Sequence, residues 1–458
     1  MTASTLDVPK DAPRAPPKFT QGSILRHVLV MTGTGAVGLV AIFVVDFFSL
    51  LYVSWLNDPA LTAGVGYSTQ VNFFCMSINI GTAIAVTALV SRAQGARDRP
   101  LARRRAASGL VHVTLFACLV AVAAILGRDA FLDLLGASGQ AKQVASRFLL
   151  ITLPSNAFMA AGMALGGILR SVGDARRAMY VTLSGGVMTA FTDPLFIFGL
   201  GLGVYGAAYA TILSRVLFIV IGLYFAVRVH DLIARPRVAE ALADASPLFT
   251  IALPAILTNL ATPVGNSYAL RTFSQFGENA VAASAVLDRL VPVAFGVIFA
   301  LSGAVGPVLG QNLGAGRIDR VKQTITESFR FTLLYAALCW LALWLGSGLI
   351  VAAFKANAET ARYIVFFCTW GITAWLFMSL LFVANACFNN LGFPLCSTLF
   401  NWGRATLGTI PFVTLGARWG GVEGGQLGIV AGAFIFGTAS VATTYFALGR
   451  LAKRRGSV

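Results

Sequence analysis

Charged residues are scarce in this chain of 458 residues, where Asp, Glu, Lys and Arg together make up only 11%. Soluble domains carry about 25% charged residues, so there is too little polar material here to cover a water-exposed surface. The mean hydropathy is +0.78, and 57% of the residues are hydrophobic. This composition excludes a soluble globular enzyme or binding domain and indicates a membrane protein.

Cysteine and histidine are also sparse, and neither is grouped for chemistry. The six cysteines form no C-x-x-C pair, and the three histidines are scattered. Zinc sites and disulfide frameworks need such grouping, so no metal site and no cofactor are expected. A literal G-x-G-x-x-G at 201–206 lies between two apolar stretches rather than between a strand and a helix, which indicates a turn rather than a dinucleotide site. The cysteines are predicted to be buried hydrophobes: Cys75, Cys118, Cys339, Cys368, Cys387 and Cys396.

Apolar stretches account for most of the chain. About 20 helical residues cross the hydrocarbon core of a bilayer, and about twelve stretches reach that length. We therefore predict an all-α polytopic membrane protein with about twelve transmembrane helices. Residues 1–25 are polar and proline-rich and are expected to form a disordered cytoplasmic tail. The predicted spans are 28–54, 67–91, 107–127, 146–169, 178–199, 203–227, 248–272, 280–306, 331–353, 363–386, 396–416 and 425–449.

The distribution of Lys and Arg predicts the orientation. Cytoplasmic loops of membrane proteins hold an excess of basic residues, and most of the 34 in this chain lie on the side of the two termini. The protein is therefore expected in a bacterial-type inner membrane, with both termini on the cytoplasmic side. The net charge of +16 is divided among many short loops, so no nucleic-acid partner is expected. The opposite side has only Arg128, Lys142, Arg147, Lys355, Arg362 and Arg418.

The two halves of the chain repeat each other with a period of about 219 residues. Gly95 aligns with Gly314, and Gly173 aligns with Gly392. Six helices per repeat give both halves the same orientation, so we expect two pseudo-symmetric six-helix lobes around a central cleft that rock against each other. The predicted parts are an N-lobe at 26–230, a cytoplasmic linker at 231–247, a C-lobe at 248–450 and a basic cytoplasmic tail at 451–458.

Asp46 and Asp193 are the strongest candidates for chemistry because a charge inside a bilayer is costly and is functional by default. At 1.5 Å per residue, they reach a similar depth to Thr211 and are expected to share one layer of the N-lobe. Burial favours the protonated form of each acid, so the pair can take up and release a proton or bind a small cation. Pro194, directly after Asp193, is expected to bend the helix.

The second half has no copy of this acidic pair, as expected of a coupling site rather than of an acid that the fold requires. Its span eight instead carries the adjacent Asp288 and Arg289, which are candidates for contact with substrate in the cleft. Arg215 and Arg404 also lie within spans. Both the interpretation as structural braces and the interpretation as ligands remain open for these two arginines.

Several motifs resemble the MATE (multidrug and toxic compound extrusion) transporters. They are Gln94-Gly95-Ala96 after the second span, Thr192-Asp193-Pro194-Leu195-Phe196, Gly206-Ala207-Ala208-Tyr209-Ala210-Thr211 and Gly310-Gln311-Asn312-Leu313-Gly314. The resemblance covers nearly all of the chain except the tails. The chain looks closest to the DinF-like branch of these transporters, because its seventh span contains no Glu.

The resemblance implies a two-lobed, V-shaped exporter driven by inward H⁺ or Na⁺, with a cation site at Asp46, Asp193 and Thr211. Family members often have Asn four residues before the acid of span five, where this chain has Thr189. Thr lacks the amide oxygen, so H⁺ is favoured as the coupling ion and Na⁺ at Asp46 and Asp193 remains an alternative. The expected substrates are small, cationic amphiphiles, and a monomer in contact with membrane lipid is expected.

Two other functions fit the same architecture. A lipid-linked precursor flippase can share the two-lobed form, but a strongly basic central cavity would be expected for its pyrophosphate. A membrane enzyme or a pore is disfavoured, because the sequence shows no catalytic cluster and the acids are confined to one half. The favoured function is multidrug efflux by cation antiport.

Overall fold

The computed structural model describes residues 17–56, 58–354 and 356–456. The described residues are 89% helical and contain no strand, which confirms the predicted all-α class. In the first half the helices are α1 (Ile24–Ser54), α2 (Pro59–Gly95), α3 (Arg99–Leu134), α4 (Gly139–Thr152), α5 (Asn156–Ser171), α6 (Ala175–Pro194) and α7 (Val204–Leu223). In the second half they are α8 (Val238–Ser274), α9 (Glu278–Gly314), α10 (Ile318–Ala353), α11 (Ala358–Phe366), α12 (Thr373–Leu391), α13 (Pro394–Ala405) and α14 (Ile410–Gly456).

Several predicted spans are not single regular helices. The fourth is interrupted by a short 3₁₀ turn at Leu153–Ser155, between α4 and α5. The tenth changes to a π-helix at Phe367–Gly371, between α11 and α12. The fifth and sixth end in π-helices at Leu195–Gly199 and Tyr224–Val229. These irregularities were not predicted, because hydropathy reports length and apolarity but not the hydrogen-bond pattern.

Eleven described segments are long and apolar enough to cross a membrane, and one of them, Pro394–Lys453, has 60 residues. That segment contains two passes, because the backbone leaves the helical region at Gly420 and Gly421. A Cβ at Gly424 would overlap the carbonyl of Gly416, and one at Gly432 would overlap the carbonyl of Gly408. These pairs lie symmetrically about Gly420, so the two arms form an antiparallel hairpin whose close approach requires glycine. The described part of the chain therefore makes twelve passes, as predicted.

The two halves pack through equivalent helices. α1 of the first half packs against α9, and α8, its counterpart in the second half, packs against α2. The counterparts α2 and α9 also pack against each other. The first helix of each half therefore meets the second helix of the other half, as a pseudo-twofold axis between two lobes requires.

The repeated glycines mark the point where the two lobes cross. A Cβ at Gly95 of α2 would overlap the carbonyl of Gln311, and one at Gly314 of α9 would overlap the carbonyl of Arg92. Both glycines lie at the ends of their helices, on the face that also carries Lys18–Thr20 and the basic α2–α3 connection. We refer to this end of the molecule as the basic face.

Candidate functional site

Asp193 is the most deeply buried of the predicted site residues whose side chains the structure describes, with an exposed fraction of 1%. It lies on α6, and its carboxylate accepts a hydrogen bond from the hydroxyl of Ser49 on α1. Asp46 lies three residues before Ser49, hence on a similar side of α1, but its side chain is outside the described part of the structure. The structure thus joins α1 to the acid of α6 through Ser49, a residue that the sequence analysis missed although its i, i+3 spacing from Asp46 marks it.

Pro194 lies at the change from α- to π-helix that follows Asp193. The π-helix runs over Leu195–Gly199, and the amide of Leu200 donates to the carbonyl of Leu195 at 2.8 Å. Proline cannot donate to the preceding turn, and π segments inside helices are frequent at functional sites. The helix therefore changes its winding next to the buried acid.

Thr211 and Thr189 are half-buried on α7 and α6. The hydroxyl of Thr211 donates to the carbonyl of Ala207 at 2.9 Å, and that of Thr189 donates to the carbonyl of Gly185 at 3.0 Å. Because each hydroxyl proton is used within its own helix, each side chain has only oxygen lone pairs left for a cation.

A second polar layer of the N-lobe surrounds the 3₁₀ interruption in span four. Arg215 of α7 donates to the carbonyl of Thr152 at 3.0 Å and to the hydroxyl of Ser155 at 2.9 Å. Asn79 of α2 donates to Asn156 of α5 at 2.8 Å, and both are buried. Arg215 thus braces the irregular turn, which is one of the two interpretations that the sequence left open.

The C-lobe candidates differ in their surroundings. The side chain of Asp288 on α9 is exposed, and that of Arg289 is outside the described part of the structure. Arg404 of α13 is 4% exposed and donates to the hydroxyl of Thr262 on α8 at 3.3 Å. The structure therefore puts a buried cation in the C-lobe, whereas the N-lobe has the buried acid Asp193.

The lobes are tied together at the basic face, where Gln311 Nε2 of α9 donates to the carbonyl of Ser171 of α5 at 2.6 Å. Within the first half, Lys18 donates to the carbonyl of Gly173 at 2.7 Å. Arg92 of α2 donates to the carbonyls of Asn389 and Asn390 of α12 at 3.0 and 2.7 Å. These bonds, together with the glycine crossing, close the molecule at one end.

Comparison with known proteins agrees with this architecture. The model of the family MatE matches residues 36–195 and 254–414, which together are more than half of the chain. The chain belongs to the MatE family. It is therefore a member of the MATE multidrug efflux transporters and not an enzyme, as predicted. The finer assignment to the DinF-like branch stays a prediction.

Three relatives illustrate the range of the family. An "FAD transporter" of Shewanella oneidensis is 28% identical over 407 residues, which are 87% of this chain and 89% of that protein. The "Multidrug export protein MepA" of Staphylococcus aureus is 22% identical over 409 residues, 87% of this chain and 86% of that protein. The solved Vibrio cholerae MATE transporter VcmN, in its bent form, superposes with a TM-score of 0.87 at 23% identity, covering 93% and 98% of the two chains.

Proposed function

We propose that this MATE transporter exports small molecules across a bacterial-type inner membrane by antiport with H⁺, with the basic face in the cytoplasm. The observation that carries the proposal is the buried carboxylate of Asp193, which Ser49 binds three residues from Asp46. A buried acid favours its neutral form, and a second acid nearby favours it further. Such a pair takes up a proton from the acidic side and releases it when the lobes rock to the other side.

H⁺ is preferred to Na⁺ because of the ligands that the layer offers. Sodium needs several oxygen atoms together, and the candidates are two carboxylates with the lone pairs of Thr211 and Thr189. A proton needs only one acid that titrates in the working pH range. The closed basic face supports an outward-facing state, from which the proton enters.

The substrates are proposed to be small amphiphiles whose cationic groups bind near Asp288, one of the two candidates for the cleft. The transporter is proposed to act as a monomer among membrane lipids. One relative, 28% identical to this chain, is named an FAD transporter. Flavins are therefore useful probes beside cationic dyes. A lipid-linked precursor flippase remains the alternative function of this architecture, and the enzyme and the pore stay disfavoured.

Proton release from proteoliposomes tests the coupling. Vesicles with an acidic interior and no added sodium should release protons when substrate is added, and Asp193→Asn should abolish that signal. Asp133→Asn is the matched control, since Asp133 is an exposed carboxylate that pairs with Lys142. A response that requires sodium and ignores the pH gradient would instead assign the layer to Na⁺.

A further inference from the structure

Arg404 is a buried cation within an apolar segment long enough to cross a membrane. It is the eleventh residue of α13, which begins at Pro394, so at 1.5 Å per residue it lies roughly 15 Å from the start of that helix. Its side chain is 4% exposed, and among the described residues no carboxylate forms an ion pair with it.

The guanidinium is only partly bound. Nη2 donates to Thr262 Oγ1 at 3.3 Å, and the buried Nε has no hydrogen-bond partner among the described residues. A buried charge without a counter-charge is costly. The unpaired Nε and the missing carboxylate leave the guanidinium able to bind an anionic group from outside the chain.

The surroundings of Arg404 are polar and reach the boundary between the lobes. α8 approaches α13 closely, because a Cβ at Gly265 would lie 3.3 Å from the Cα of Ala405. Thr262 lies on the side of α8 that also carries the half-buried Asn259 and the exposed Asn266. α8 also packs against α2 of the other lobe, so the helix that carries this polar stripe lies at the boundary between the lobes.

The chemistry of this site favours a planar or tetrahedral oxyanion. The guanidinium of Arg is a fork that matches carboxylate and phosphate oxygens, and the hydroxyl of Thr262 and the amides of the stripe add neutral donors. In the same lobe Asn401 donates to Asn385 at 2.9 Å, and both are buried. Asn401 lies about one turn before Arg404 on α13, so a second polar group is close along the same helix.

We propose that Arg404, with Thr262, binds a phosphate or carboxylate group of the transported molecule, so that the substrates include amphiphilic anions and zwitterions. The proposal rests on the transport function above and adds a substrate class to it. The acids of the N-lobe serve the coupling ion, and the C-lobe arginine serves the substrate. The headgroup of an anionic lipid has the same chemistry, and the experiment separates the two sources.

Riboflavin and flavin mononucleotide are matched probes, because they differ by one phosphate. Their binding to the purified full-length chain is measured by flavin fluorescence in a neutral detergent. Flavin mononucleotide should bind about tenfold or more tightly than riboflavin, as expected for a hydrogen-bonded charged group. Arg404→Gln should abolish this preference and leave riboflavin affinity unchanged, whereas Arg404→Lys should keep part of it. Arg418→Gln, a change of an exposed arginine, is the control.

Asn266→Asp keeps the test decisive where Arg404→Gln fails to fold. It puts a carboxylate on the stripe without removing the arginine, and it should abolish the phosphate preference equally. Equal affinities for the two flavins in the parent protein, or equal weakening of both in the variants, would overturn the proposal.

Lipid nanodiscs provide the arm that separates substrate from lipid. In the parent protein, phosphatidylglycerol in place of phosphatidylcholine should leave flavin mononucleotide affinity unchanged. Competition by phosphatidylglycerol that Arg404→Gln removes would assign the site to a headgroup and overturn the substrate assignment. Because binding is measured without a gradient, failure of H⁺ coupling would leave this result intact.

Discussion

The backbone amide of Phe19 donates a hydrogen bond of 2.9 Å to Oε1 of Gln311, so the segment before α1 is bonded to α9 of the other half. The same side chain uses its Nε2 to donate to the carbonyl of Ser171 on α5. Phe19 itself is 1% exposed, and its carbonyl accepts from Asn312 and Arg320. One glutamine thus binds two separate segments of the first half to the second, at the basic face.

Gln311→Ala should weaken this closure. It removes both bonds and leaves a buried amide and carbonyl unpaired, at a cost of about 1–3 kcal/mol each. The expected result is at least a severalfold faster reaction of maleimide with a cysteine placed at Ser91, which is fully buried beside Gly310 at the crossing of α2 and α9. The measurement uses a background without the native cysteines.

Gln21→Ala is the matched control for the closure, because Gln21 is exposed and takes part in the bonds only through its carbonyl. Its labelling rate should equal that of the parent. An unchanged rate in Gln311→Ala would contradict a role of this side chain in holding the basic face closed.

Gly95→Ala tests the helix crossing. The added methyl would overlap the carbonyl of Gln311, which is backbone and cannot turn aside, so the variant should lose several kcal/mol of stability or fail to close. Gly296→Ala is the control, since a Cβ at that helical glycine has nothing within 4 Å. Thermal unfolding in detergent should separate the two variants, and equal midpoints would show that the crossing is looser than described.

Much of this architecture could be predicted from the sequence, because hydropathy and the repeat both report the fold directly. Gly95 and Gly314 align in the repeat because α2 and α9 cross at these residues. The close crossing requires glycine at both positions, so the repeated glycines in the sequence report it directly. The twelfth pass followed from hydropathy although the helical hairpin around Gly420 runs almost without interruption.

The sequence could not indicate which buried polar groups meet across lobes. Gln311 was noticed only within a family motif, and its partner, the amide of Phe19, has no side-chain signature. Asn79 and Asn156 lie 77 residues apart, so only the fold brings them together. The sequence left Arg404 open as a structural brace or a ligand. Whether a buried arginine has a counter-charge depends on three-dimensional packing, which the sequence does not show.

The acids of the N-lobe should be needed for transport and not for folding. Asp193→Asn and Asp46→Asn should each leave near-normal amounts of protein in the membrane and remove most drug efflux, because a side-chain amide does not take up or release a proton in the working pH range. Ser49→Ala should lower efflux less, since it removes one hydrogen bond to Asp193 and keeps the carboxylate. Efflux of a cationic dye from a pump-deficient strain measures the order, and normal export by both Asn variants would refute the coupling site.

The orientation can be tested by labelling from outside. Gln140 and Ala315 are both exposed and lie at opposite ends of the molecule. A single cysteine at Gln140 should react with a membrane-impermeant thiol reagent in intact cells, and one at Ala315 should react only after the membrane is permeabilised. The reverse pattern would place the basic face outside the cell.

The last prediction concerns Asp174, which lies between α5 and α6 at the basic face. Burial alone would raise the pKa of its carboxyl, but hydrogen bonds from the Arg177 amide, from His230 and from the Arg177 guanidinium outweigh that effect and lower the pKa. The Nε2 atom of His230 lies 2.7 Å from the carboxylate. Because the folded-state pKa is lowered, the stabilisation is complete above the unfolded value of about 3.9 and is lost as the pH falls through the lower folded value.

Asp174→Asn should therefore cost about 1–2 kcal/mol at pH 7 and progressively less as the pH is lowered below about 4. The side-chain oxygen of the introduced Asn can still cap α6 by accepting from the backbone amide of Arg177. The difference in stability between parent and variant therefore reports the loss of the negative charge. The measurement is the apparent midpoint of thermal unfolding in detergent from pH 7 to about pH 3, with Asp133→Asn as the control on an exposed acid. A gap between parent and variant that stays constant down to pH 3 would mean that Asp174 acts through packing rather than through its charge.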